Sequence, residues 1–149
     1  MKYDYEIYCD GATEPINPGG ACGIGCIVFR NGELIKEYSY FVSQKPNNTN
    51  NIAEYMAFIR ALKFIKEEKL LNKNIIIRGD SMLCINQLKG NWQIKNGAYL
   101  KYAFIAKKLL KELPNNIFFE WIPREKNQIA DDLSKKELIK NGITITKRN

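Results

Sequence analysis

Carboxylates are the leading candidates for chemistry in this 149-residue chain, which contains 16 acids, four cysteines and no histidine. Without an imidazole there can be no Ser-His-Asp or Cys-His pair and no H-E-x-x-H or Cys2His2 zinc site. The cysteines, Cys9, Cys22, Cys26 and Cys84, form no C-x-x-C pair and no zinc-knuckle spacing. Set in or beside apolar runs, they read as buried, reduced thiols. Clustered carboxylates repel one another and retain protons unless a cation intervenes. A ligand set made only of oxygens selects a hard divalent ion, Mg²⁺ or Mn²⁺. Such ions support attack on phosphorus without any imidazole.

Three of the acids occupy unusual places. Asp10 ends a first strand, Tyr3 to Cys9, and Asp80 closes the strand that holds Ile75, Ile76 and Ile77. If those strands are parallel neighbours, both carboxylates stand at one sheet edge with backbones roughly 5 Å apart. Carboxyl ends of strands are where open α/β sheets bind ligands. Glu54 lies in a helix, and Phe58, Ala61 and Ile65 follow within about 40° of its direction at 100° per residue. It therefore sits on the arc that packs against the sheet, where an uncompensated charge is costly. Asp131 and Asp132 open the last helix, and helical spacing does not choose between them. The chain carries 23 bases against 16 acids, a net charge of +7. With four clustered acids set aside, 12 face those 23 bases. An anionic pocket in a basic protein suits a polyanionic, phosphodiester partner.

The elements that must position these groups follow from composition and period. Tyr3 to Cys9 alternates as a strand, Gly11 to Gly20 is a loop, and Ala21 to Arg30 is apolar on both faces. Asn31-Gly32 marks a hairpin leading to an edge strand, Glu33 to Val42. Helices are expected over 51–69, 81–89, 96–113 and 127–140, and further strands over 74–78 and 117–122. The order β-β-β-α-β-α-α-β-α gives one mixed five-stranded sheet with helices on both faces, in an α/β domain. A single domain is expected over 1–142, with a frayed tail over 143–149. Met1 to Glu6 carries charges where a signal peptide needs an apolar stretch, and no apolar run nears the roughly 18 residues of a membrane span. A soluble, cytoplasmic protein with no membrane partner is the expectation.

Four blocks, in order, resemble type 1 ribonuclease H. They are Asp10-Gly11-Ala12 with Asn17-Pro18-Gly19-Gly20-Ala21; Thr49 to Ala57 around Glu54; Gly79-Asp80-Ser81; and Asn127 to Ser134. The resemblance covers roughly residues 4–140. It implies the strand order 3-2-1-4-5 with strand 2 antiparallel, and two Mg²⁺ ions, with Mn²⁺ as the alternative. It also implies cleavage of the RNA strand of RNA–DNA hybrids to 5′-phosphate and 3′-hydroxyl ends. Asp10 would serve both ions, Glu54 and Asp80 the nucleophile side, and Asp131, chosen over Asp132 by the Ala-Asp-x-Leu-Ser pattern, the leaving-group side. Asn17, Asn50 and the backbone of Gly11-Ala12 would meet the RNA 2′-hydroxyl, and Thr49 a DNA phosphate. Lys89, Trp92 and Lys95 would grip the hybrid.

Two departures stand out. Many members carry a glutamine two residues after the third carboxylate, where this chain has Met82. Many also carry a loop histidine before the last helix, where this chain has Arg124-Glu125-Lys126. The chain thus resembles the histidine-lacking branch of archaeal and bacterial members, and Arg124 is the candidate contact to the leaving phosphate. A silent nucleic-acid-binding module of the same fold is the rival, but it would be expected to lack a metal carboxylate. A proofreading-type exonuclease expects an acid at the position of Ala12. The partner expected is an RNA–DNA hybrid, with double-stranded RNA left open as a second one, and the protein is expected to act as a monomer.

Overall fold

The computed structural model describes residues 2–146. Its elements run β1 (Tyr5–Glu14), β2 (Ala21–Arg30), β3 (Glu33–Val42), α1 (Asn50–Glu67), β4 (Asn74–Gly79), α2 (Met82–Leu88), α3 (Leu100–Glu112), β5 (Asn116–Trp121), a 3₁₀ turn (Arg124–Lys126) and α4 (Gln128–Lys140). The strands form one sheet ordered β3-β2-β1-β4-β5. β1 and β2 pair antiparallel, as do β2 and β3, while β4 runs parallel to β1 and to β5. The Asn31-Gly32 turn lies in the left-handed region, with φ of 50° and 81°, as a tight hairpin requires.

Helix α1 covers β1 and β2 on one face, with α3 packed against α1, and α4 covers β1, β2 and β3 on the other. The core lies mainly between α1 and the sheet, where Phe58, Ala61, Leu62 and Ile65 of α1 meet Ile7, Ile75 and Ile77. Each fully buried Ile, Leu or Phe there contributes on the order of 1.5–3 kcal/mol. All four cysteines are buried and none forms a disulfide, in keeping with their apolar surroundings. α4 lies unusually close to β2: a Cβ built on Gly25 would stand 2.2 Å from the Ala130 carbonyl oxygen. Among the described residues no helix is long and apolar enough to cross a membrane.

Three boundaries differ from expectation. β1 continues through the segment read as a loop, so Asp10 does not end it. Gly11, Ala12 and Thr13 look like turn residues, yet they pair with Ile24, Gly23 and Cys22 on one side, while the Gly11 and Thr13 N–H groups are satisfied by the Glu54 and Asn50 side chains on the other. α3 starts at Leu100 rather than Asn96. The residues before it follow an irregular path in which Lys95 N–H and the Gln87 amide both donate to the Tyr99 hydroxyl, at 3.3 and 3.1 Å. In the segment expected to fray, residues 143–146 have no regular structure, but the Thr146 N–H donates to Glu14 at 2.6 Å. Residues 147–149 of that tail lie outside the described residues.

Candidate active site

Parallel pairing of β1 with β4 stops at Cys9↔Gly79. Asp10 and Asp80 are therefore the next residues on two neighbouring strands, where the chains separate and leave room for side chains. Glu54 reaches the same point from α1. This close approach requires Gly11, because a Cβ there would stand 2.2 Å from the Ala53 carbonyl carbon. Gly11 N–H donates to Glu54 Oε1 at 2.5 Å, which fixes the carboxylate against the strand. The result is a group of three acids, Asp10, Glu54 and Asp80, with one ligand oxygen from each within 4.8 Å of the others. Asp10 and Glu54 are only 5% and 6% exposed.

Asp131 is buried in the first turn of α4, whereas Asp132 is exposed. α4 packs through Ala130, Leu133, Ser134 and Leu138, while Ile129 is 55% exposed. The apolar residues of this helix therefore do not all share its buried face, which is why spacing does not choose between the two aspartates. Asp131 lies outside the three-acid group but contacts Asp10.

The electrostatics follow from burial and crowding. Asp10 is held well above the usual carboxylate range by desolvation, then by the charge and contact of Glu54, the charge of Asp80 and contact with Asp131. For Asp131, partial burial alone would raise the carboxyl, but contacts with Asp10 and Lys135 and the charge of Arg124 outweigh it and hold it low. Burial and the nearby Glu54 charge also push the Cys84 thiol up. The carboxylates fit a hard divalent ion: they are oxygen donors, mutually repelling, fixed by the fold and open to a cleft.

That cleft, about 330 Å³, is lined by Asp10, Gly11, Glu54 and Asp80 together with Asn50, Asn51, Ser81, Trp121 and Arg124. Arg124 therefore joins the carboxylates from the 3₁₀ turn. A larger hollow of about 500 Å³ beside Tyr8, Phe29 and Ile129 contains none of the four acids, so size does not mark the site. Asn17 and Asn50 come together at the rim, where Asn17 Oδ1 accepts the Asn50 N–H at 3.1 Å. Asn50 Oδ1 accepts the Thr13 N–H at 2.9 Å, leaving its amide hydrogens as donors. Thr49 caps α1 by accepting the Ile52 N–H, which leaves its hydroxyl proton to donate. Ala12 is buried, and the Gly11 N–H is committed to Glu54, so that amide does not face substrate. Trp92 and Lys95 share a groove with Gln87 and Tyr99, but Lys89 lines a different one, beside β5.

Two residues of consequence had no role in the sequence reading. Asn127 is 1% exposed. Its amide donates to the Cys9 carbonyl at 2.8 Å and to Asp80 Oδ2 at 3.3 Å, while its carbonyl accepts the Asp131 N–H. Through its side-chain amide and its backbone carbonyl, this one residue ties together the neighbourhoods of three carboxylates. A polar residue just before a helix signals a cap, which gave no hint that this one reaches the sheet instead. Lys135 pairs with Asp131 Oδ2 at 3.0 Å, and their i,i+4 spacing was the available signal.

Comparison with known proteins shows which family and fold the chain resembles. The family described as "Reverse transcriptase-like" matches residues 9–137. The chain is 33% identical over 149 residues to ribonuclease H of Bartonella quintana, covering 92% of each. It is 30% identical over 140 residues to the uncharacterized protein YpeP of Bacillus subtilis, covering 91% of this chain and 59% of that one. The crystal structure of LC11-RNase H1 in complex with an RNA/DNA hybrid superposes with a TM-score of 0.83 at 31% identity, over 92% of this chain and 98% of the other. The chain spans between 34% and 59% of the length of the first curated relatives it matches.

Proposed function

The chain belongs to the type 1 ribonuclease H family, and on that premise we propose that it is a metal-dependent endonuclease that hydrolyses the RNA strand of RNA–DNA hybrids. The observation that carries this reading is the convergence of Asp10, Glu54 and Asp80 at the end of the β1/β4 ladder, with Asp131 against Asp10. Two bound divalent ions, Mg²⁺ or Mn²⁺, would supply Lewis acidity and lower the pKa of the attacking water. In this reading Asp10 would serve both ions. Glu54 and Asp80 would hold the ion on the side from which water attacks, and Asp131 the ion on the side of the departing 3′-oxygen. The products carry 5′-phosphate and 3′-hydroxyl ends.

The protein's own groups hold and orient the substrate around that centre. Asn50, fixed through Thr13 and Asn17, presents amide donors beside the acids, where a 2′-hydroxyl would distinguish RNA from DNA. The Thr49 hydroxyl suits a backbone phosphate. Arg124 supplies a charge on the cleft rim for the leaving phosphate, in a chain without the loop histidine. Trp92 and Lys95 offer a stacking surface and a phosphate contact some distance away.

The test compares labelled RNA–DNA hybrid, double-stranded RNA and double-stranded DNA, each with Mg²⁺, with Mn²⁺ and with chelator. Metal-dependent cleavage confined to RNA strands, with the hybrid favoured, is expected. No metal-dependent cleavage of the hybrid would leave a silent nucleic-acid-binding module in its place.

A further inference from the structure

Gln87 is 1% exposed, and its hydrogen bonds fix the direction of every donor around the groove that holds Trp92 and Lys95. The Gln93 carbonyl can only accept, so the Gln87 atom facing it at 3.1 Å is the amide nitrogen. The amide oxygen then accepts from the Tyr55 hydroxyl. The same nitrogen donates to the Tyr99 hydroxyl at 3.1 Å, and Lys95 N–H donates to that hydroxyl at 3.3 Å. With two donors against it, the Tyr99 oxygen has its accepting capacity filled, and its own proton is all it has left to offer. Among the described residues no acceptor takes that proton. The ring is held as well, lying parallel to buried Tyr55 with centroids 5.9 Å apart and 1° between the planes.

We propose that the Tyr99 hydroxyl donates a hydrogen bond to a backbone phosphate of the bound hybrid, in the groove of about 370 Å³ that it shares with Trp92 and Lys95. This rests on the chain binding an RNA–DNA hybrid, as proposed above. Phosphate oxygens only accept, which matches a hydroxyl that can only donate. The Lys95 ammonium supplies the opposite charge, and the Trp92 indole a face for the adjoining sugar or base. A ligand group that donates would find the Tyr99 oxygen already occupied. Tyr99 thus adds direction to a contact whose charge comes from Lys95. Both strands of a hybrid carry such phosphates, and the test tells them apart.

The test is a fluorescence-anisotropy titration of a labelled hybrid with the full chain, in chelator, for wild type and Tyr99→Phe. The variant keeps the ring and its stack on Tyr55, so it should fold and melt close to wild type. Its Kd should rise roughly three- to tenfold, as for the loss of one hydrogen bond to a charged group. The slope of log Kd against log salt should stay the same, because no charge is removed. Hybrids carrying a single neutral methylphosphonate, walked along the DNA strand and then the RNA strand, locate the partner. At one position the modification should cost wild type more than Tyr99→Phe, and the strand that carries it identifies the phosphate. Equal losses in the two proteins at every position would mean that the hydroxyl only holds the loop, and would overturn the proposal. An unchanged Kd overturns it too, as does a wild type that binds no hybrid. Cleavage in Mg²⁺ without this coupling sinks the Tyr99 contact alone, whereas coupling without cleavage sinks the nuclease reading alone.

Discussion

The floor of the cleft and its rim are built in different ways. On the floor, Asp10 and Glu54 are almost fully buried, and the group with Asp80 is set by a strand ladder, a helix held close by Gly11 and the Asn127 bridge. At the rim, Asn17, Trp92, Lys95 and Arg124 are exposed, and they sit in loops or in a single 3₁₀ turn. The floor spends folding energy on holding like charges together, while the rim contributes groups that water already solvates. Chemistry should therefore depend steeply on the floor, and the rim should govern how tightly and how selectively substrate is held.

The largest effect should come from the floor. Asp10→Asn should lower kcat for hybrid cleavage on the order of a hundredfold or more while leaving KM within a few-fold, since it removes a ligand expected to serve both ions. Single-turnover kinetics at saturating hybrid and Mg²⁺ would show this, and a loss confined to KM would place Asp10 with the rim instead.

Gly11→Ala is next. A methyl group placed 2.2 Å from Ala53 must push α1 from β1, at a cost of about 2 kcal/mol or more by overpacking. Urea unfolding should show the loss, and activity should fall beyond what stability explains because Glu54 moves with the helix. An unchanged midpoint would mean that the close contact does not position Glu54.

A smaller effect is expected at the rim. Trp92→Ala should raise KM by roughly fivefold or more, following the loss of a stacking surface, with kcat within twofold. Lys95→Ala should weaken binding and make it less salt-dependent by about one counterion. Equal losses in kcat would merge rim with floor.

The subtlest prediction concerns stability without metal. Asp10 titrates well above the usual carboxylate range in the folded chain, so its contribution is fully present below the unfolded-state value and is lost as pH rises through the folded-state value. Asp131, held low, behaves in the opposite sense, so the comparison must isolate Asp10. In chelator, Asp10→Asn should melt higher than wild type at neutral pH, and the gap should close as pH falls towards the ordinary carboxylate range. Added Mg²⁺ should stabilise wild type and leave Asp10→Asn much less affected. A pH-independent gap in thermal melts would show that repulsion on Asp10 is not the source.

The same contrast explains what could be read without coordinates. β2 and β3 are where their composition puts them, because apolar alternation and the Asn31-Gly32 turn are local signals. Glu54 was legible because a charge among Phe58, Ala61 and Ile65 breaks a helical stripe. The extension of β1 through Gly11 was not, since only its pairing with β2 turns loop-like residues into strand. Asp131 could not be separated from Asp132 by periodicity, because exposed Ile129 suggests a face that the helix does not bury. Asn127 was least legible of all, since its partner Cys9 lies 118 residues away and no local pattern encodes the contact. The rim residues carry weak signals, because exposed Lys, Trp and Asn suit solvent as well as substrate, and Lys89 in fact turns towards another groove.

The account depends most directly on whether the buried acids hold divalent ions. Crystals equilibrated with Mn²⁺ and measured for anomalous scattering would answer this. The account predicts a strong peak bonded to Asp10, Glu54 and Asp80, lost in Asp10→Asn. Full Mn²⁺ sites elsewhere on the surface, with no density among those three carboxylates, would contradict it.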